Sequence, residues 1–141
     1  MEPLFLTLNE VLRIHEREIE AHGGGPGLLN RGLLESAVAQ PATAFGGQFA
    51  HTDLAEMAGA YLFHLAKNHC FVDGNKRVAA LSAVVFLALN GVDFDVPPND
   101  YYYLAYGVAS GTADKADAAD FFRRRGPACG PGSEGSPPAT K

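Results

Sequence analysis

The chain has 141 residues, 47% of them hydrophobic, and its 16 acidic against 11 basic side chains leave a formal net charge of −5. A chain of this size buries roughly two thirds of its unfolded surface, enough for one core, and the acidic balance excludes a nucleic-acid-binding face, which needs a basic patch. Two cysteines, Cys70 and Cys129, are too few for a disulfide framework, so a reducing cytoplasm is the expected setting.

Thr7 and Glu10 have capping-box spacing. Leu8, Val11, Leu12, His15, Ile19 and His22 then hold one face of a first helix that ends at the glycines 23 to 25. A second helix is predicted from about Asn30 to Gln40, stopped by Pro41, with Leu33, Leu34, Ala37 and Val38 as its buried stripe. Between Pro41 and Asp53 lies a stretch with two phenylalanines around Gly46-Gly47, a surface loop on its composition. Asp53 and Glu56 open a third helix whose apolar positions are Leu54, Met57, Ala58, Tyr61, Leu62 and Leu65.

That helix leads into His69-Cys70-Phe71-Val72-Asp73-Gly74-Asn75-Lys76-Arg77, and the apolar run from Val78 to Leu89 reads as a fourth helix buried on nearly every side. Asn75 is the expected N-cap. The amides of Gly74, Asn75 and Lys76 at a helix start form a ready anion site, and Lys76 and Arg77 place two cations beside it. Histidine titrates near neutral pH, which suits His69 to take a proton from a hydroxyl. Asp73 is placed to hold Mg²⁺ against phosphate oxygens, and Phe71 turns inward as the anchor of the loop. A base, a metal ligand and a charge-stabilising cradle are what phosphoryl or nucleotidyl transfer needs.

Asn90-Gly91 ends the fourth helix. Val92, Phe94 and Val96 alternate with Asp93 and Asp95 as a short extended piece, and two more helices follow, over about 99 to 109 and 112 to 125. Among Tyr101, Tyr102 and Tyr103 at least one belongs to the core, and Arg123, Arg124 and Arg125 read as a solvated helix end. Residues 126–141, rich in Pro, Gly and Ser, are expected to be disordered. His15-Glu16 opens a zinc-binding pattern whose second histidine position is occupied by Ile19, so no zinc site is expected. With no basic start at Met1-Glu2-Pro3 and an apolar run broken by Ser82, neither a signal peptide nor a membrane span is expected.

The motif resembles the signature of the Fic/Doc superfamily, His-x-Phe-x-(Asp/Glu/Asn)-Gly-Asn-(Gly/Lys)-Arg, in the lysine form found in the Doc branch, the death-on-curing toxins. The resemblance extends to Phe5 through Leu12, Gly23-Gly24, Leu34 to Ala37 and Leu89 to Gly91, and covers about residues 4 to 125. It implies an all-α bundle of about six helices over 1–125. By position it implies His69 as the general base, Asp73 as the Mg²⁺ ligand, and Gly74, Asn75, Lys76 and Arg77 as the phosphate cradle, with Lys76 and Arg77 stabilising the transferring group. Phe45, Gly46, Gly47, Gln48 and Phe49 would form a flap that aligns the protein substrate.

In the AMP-transferring members of the superfamily the position of Lys76 is glycine and a further arginine stands where this chain has Ala80. The residues show that the cradle differs, and the resemblance to the Doc branch implies transfer of the terminal phosphate of ATP to a threonine of elongation factor Tu, arresting translation, with AMP transfer as the alternative. A non-catalytic binder of the translation machinery is the third possibility. The resemblance further implies a Phd-like antitoxin as partner. Some members carry an inhibitory helix ending in glutamate, but the Pro and Gly around Glu134-Gly135 forbid a helix there, so inhibition is expected from outside the chain.

Overall fold

Helices α1, α2, α3 and α6 begin where a short polar side chain can take up the free amides of a first turn. In the computed structural model, which describes residues 2–125, Thr7 and Glu10 close a reciprocal capping box on α1 (Leu8–His22). Asn30 accepts from the Leu33 amide to start α2 (Arg31–Ala39), and Asp53 accepts from the Glu56 amide to start α3 (Leu54–Asn68). The Glu56 side chain reaches one residue further back than a capping box requires, to the Thr52 amide. After α4 (Asn75–Leu89) and α5 (Pro98–Ser110), Asp114 and Asp117 exchange amide and carboxylate bonds at the entry of α6 (Lys115–Arg125).

The architecture among the described residues is all-α apart from one two-stranded antiparallel hairpin, β1 (Ala44–Phe45) and β2 (Gln48–Phe49). Gly46 and Gly47 both take positive φ in its turn, as a two-residue hairpin loop requires. The stretch expected to be a surface loop thus has a defined strand pairing. Pro41 does not simply stop α2: the chain passes through it as a single 3-10 turn over Gln40–Ala42. Residues 92–96 carry no strand.

Helix α3 is the centre of the bundle and packs against α2, α4, α5 and α6. Its partner α6 comes close at Gly59, where a Cβ would stand 2.8 Å from the Ala119 backbone nitrogen, so only glycine lets Ala118 and Ala119 approach. Met57, Tyr61, Leu62 and Leu65 of α3 meet Val78, Ala79, Ala83 and Phe86 of α4 in the core. Buried Tyr61 accepts the Leu6 amide on its hydroxyl, and burial pushes that phenol up to about 12. Leu33, expected in the buried stripe of α2, is exposed, because only Leu34 and Ala37 face inward on so short a helix. Arg123 is exposed at the end of α6, as expected, and also pairs with Asp53 at 3.1 Å, Glu56 at 3.7 Å and Asp120 at 3.0 Å, tying α6 to the start of α3. The tail from residue 126, Cys129 and Glu134-Gly135 lie outside the described residues. No helix of the described residues is long and apolar enough to cross a membrane.

Candidate active site

The motif is the turn between the two central helices, α3 and α4. Helix α3 ends at His69 in the left-handed region, φ 50° and ψ 57°, the only described non-glycine residue with positive φ. The chain then runs inward through buried Cys70 and Phe71, and Gly74, also left-handed, turns it into α4.

Asn75 is not the cap of that helix. It is the first helical residue, Gly74 occupies the cap position, and no side chain caps the helix. The Asn75 side chain is 6% exposed and folds back onto the loop. Its Oδ1 accepts the Phe71 amide at 2.9 Å, and its Nδ2 donates to the Phe71 carbonyl at 2.9 Å. These two bonds fix which end of the amide is which, so Nδ2 is the atom that meets His69 Nδ1 at 3.3 Å. A neutral His69 receiving that contact carries its proton on Nε2. To accept a proton from a substrate hydroxyl at Nε2, the exposed ring has to turn off Asn75.

The Gly74 amide, expected in the cradle, is taken by Asp73 Oδ1; without a cap, the amides that follow it at the start of α4 are left for a ligand, and the positive end of the helix dipole lies with them. They open into a cleft of about 420 Å³ lined by His22, Asp73 to Arg77, Asn99, Tyr102 and Tyr106. Lys76 extends over the Tyr106 ring, 4.9 Å from its centroid. Neither His69 nor the hairpin lines this cleft; the His69 ring joins the cradle through Asn75. A larger, open depression of about 710 Å³ lies behind the loop against His15 and Phe71, but it borders neither Lys76 nor Arg77.

Asp73 is held rather than free. Its Oδ1 accepts the Gly74 amide at 2.9 Å and its Oδ2 the Gly25 amide at 3.2 Å. These two amides hold its carboxyl below the usual aspartate range, with Arg77 and Lys76 adding to the shift. An ionised, exposed carboxylate with one bond per oxygen keeps lone pairs for a cation. Among the described residues no group of three or more His, Cys, Asp or Glu side chains could hold a metal. Asp73 is a single exposed carboxylate with lone pairs to spare, a donor of the kind hard divalent cations take. Gly24, at φ +118°, makes the contact possible: a Cβ there would stand 2.8 Å from Asp73 Oδ2.

The first helix supplies residues that the motif does not contain. His15 lies buried with its ring stacked on Phe71, centroids 3.9 Å apart and planes within 9°, and its Nε2 donates to the Asp73 carbonyl at 2.9 Å. Glu18, one turn on, is also buried and faces Arg77. His15, Glu18 and His22 stand at helical spacing, a signal present in the sequence; His15 and Glu18 are buried, while His22, expected on the same inward face, is exposed at the helix end. Tyr106 and Asn99 had no such signal, since the fold alone brings α5 to the helix start.

In the proposed flap, Phe45 is 73% exposed, while the Phe49 ring packs edge-on against Phe5 at 5.6 Å. Phe45 is thus the hairpin's free aromatic and Phe49 its anchor.

Residues 5–87 match the Fic/DOC family. Over 120 residues the chain is 35% identical to "Protein kinase doc" of Escherichia phage P1, covering 84% of this chain and 93% of that protein. It is 46% identical over 80 residues to "Toxin Doc" of Mycolicibacterium smegmatis, covering 54% of this chain and 62% of that one.

Proposed function

The chain belongs to the Fic/DOC family, and from that membership we propose that it is a Doc-type protein kinase, a toxin that moves the terminal phosphate of Mg²⁺-ATP onto a threonine hydroxyl of elongation factor Tu. The observation that carries this reading is the uncapped start of α4, with Lys76 and Arg77 at its mouth and an ionised Asp73 beside it.

The amides of the first turn, with Lys76 and Arg77, bind the phosphates and offset the charge that develops on the transferring group. Asp73 would hold Mg²⁺, which would supply further charge neutralisation to the phosphates. His69, once its ring has turned off Asn75, takes the proton of the attacking threonine hydroxyl, a step worth roughly 10² to 10⁴ in rate. Phe45 and its hairpin align the substrate segment. Lys76 fills the place where AMP-transferring relatives carry glycine, and Ala80 offers no second arginine, which supports terminal-phosphate transfer over AMP transfer.

The protein acts in the cytoplasm, where its substrate is, and is neutralised by a Phd-like antitoxin. Exposed Leu28 and Leu29 in the α1–α2 connection, Leu33 on α2 and Val72 in the motif loop give such a partner apolar surface to cover.

ATP labelled on its terminal phosphate and ATP labelled on its first phosphate separate the chemistries when each is incubated with the protein and elongation factor Tu. Label from the terminal position alone, lost in His69→Ala, is the expected result. Label from the first phosphate would establish AMP transfer. Translation arrest with no label would establish the non-catalytic binder.

A further inference from the structure

We propose that Glu18 is the positioning residue for Arg77: from α1 it holds one edge of the guanidinium inside the protein and leaves the rest to the phosphate, a role that rests on the phosphate-binding reading of the α4 start. A carboxylate is rarely buried without a partner, and the Glu18 side chain is only 11% exposed. Its neighbours explain the burial. Arg77 Nη1 lies 3.7 Å from Oε1 and His22 Nε2 lies 3.8 Å from Oε2.

Both Glu18 Oε1 and Arg77 Nη1 are shut off from solvent, and neither makes a hydrogen bond. Their separation is within ion-pair range but beyond a hydrogen bond, so a small inward movement of the guanidinium would satisfy both atoms at once. The Arg77 side chain as a whole remains 40% exposed and lines the cleft with Asp73 and Lys76. The guanidinium thus has a protein-facing edge and a ligand-facing remainder. Without Glu18 the buried edge loses its counter-charge, and the side chain turns out to water, away from the geometry in which it can meet a phosphate.

A second account of the same contact has the opposite sign. If Glu18 competed with phosphate for Arg77, its removal would strengthen binding through Arg77. The two are separated by a double-mutant cycle on Mg²⁺-ATP affinity, measured by calorimetry on the full chain with Glu18→Gln, Arg77→Gln and the pair. Positioning predicts that Arg77→Gln weakens binding about tenfold when Glu18 is present and less than twofold when Glu18→Gln is already in place, a coupling of ordinary size for residues in contact. A purely structural effect of Glu18→Gln would leave the two losses multiplicative.

Equal losses in both backgrounds, or a larger loss from Arg77→Gln in the Glu18→Gln background, would overturn the assignment. Failure of the unaltered protein to bind Mg²⁺-ATP would overturn the nucleotide reading and this role with it. Should Glu18→Gln not fold, NMR of the guanidinium in the unaltered protein decides the matter. Slow rotation and separate Nη signals for Arg77 are expected, and the averaged signals of a free arginine would refute the tether.

Discussion

Asn75→Asp distinguishes a helix cap from a loop clamp. At an N-cap, Asn and Asp are nearly equivalent, and the exchange would change stability by no more than about 0.5 kcal/mol. In the observed loop the Nδ2 donor serves the Phe71 carbonyl and His69, while Oδ1 accepts the Phe71 amide. Aspartate keeps the acceptor and loses the donor. The buried Phe71 carbonyl is then unsatisfied, at about 1–3 kcal/mol, and a carboxylate oxygen replaces the donor 2.9 Å from it. A total loss of about 2–4 kcal/mol is expected at pH 7.

The loss carries its own pH dependence. Repulsion in the folded loop raises the introduced carboxyl above its unfolded pKa of about 3.9. The folded state then binds the proton more tightly, so the deficit opens as pH rises past that unfolded value and closes again below it. Urea unfolding followed by circular dichroism at pH 7 and near pH 4 measures both effects. A variant within about 0.5 kcal/mol of the parent at pH 7 would refute the clamp and restore the cap.

Gly24→Ala puts a methyl against Asp73 Oδ2 at a backbone angle that disfavours a side chain. It should weaken Mg²⁺-dependent ATP binding at least about fivefold, roughly 1 kcal/mol, in calorimetry with and without Mg²⁺. Phe45→Ala should leave the melting temperature unchanged and impair transfer to protein, whereas Phe49→Ala should lower the melting temperature by removing the contact with Phe5; equal effects of the two on stability would refute the division of roles. His64, with Nε2 buried and unpartnered, is pushed down to about 4 by burial, with Lys115 and His51 adding to the shift. The unfolded chain binds the extra proton first, so stability should fall between about pH 6.5 and pH 4 by at most about 3 kcal/mol. Stability in His64→Leu, measured at pH 7 and pH 5, should depend less steeply on pH.

Local signals made most of the fold legible. Thr7, Asn30 and Asp53 announce helix starts by their own chemistry, and α1, α2 and α3 begin one residue after each. The same logic misassigned Asn75, because a cap and a clamp use the same residue type and only the position of Phe71 decides between them. The helix face containing His15 was readable, but that His15 grips the Asp73 carbonyl follows from the crossing of α1 over the motif loop. Arg123 gave no sign that it reaches the start of α3, since Asp53 is 70 residues away in sequence. The Asp-Gly-Asn-Lys-Arg run carried the chemistry because helix start, cations and carboxylate are contiguous. Glu18 and Tyr106 reach it only through tertiary packing.

The central claim is that the start of α4 and His69 together transfer a phosphate from ATP to a protein. Intact-mass spectrometry of elongation factor Tu, after incubation with the protein and Mg²⁺-ATP beside His69→Ala, tests it most directly. A gain of one phosphate that requires His69 is predicted, and an unchanged mass, or the same gain with His69→Ala, would contradict it.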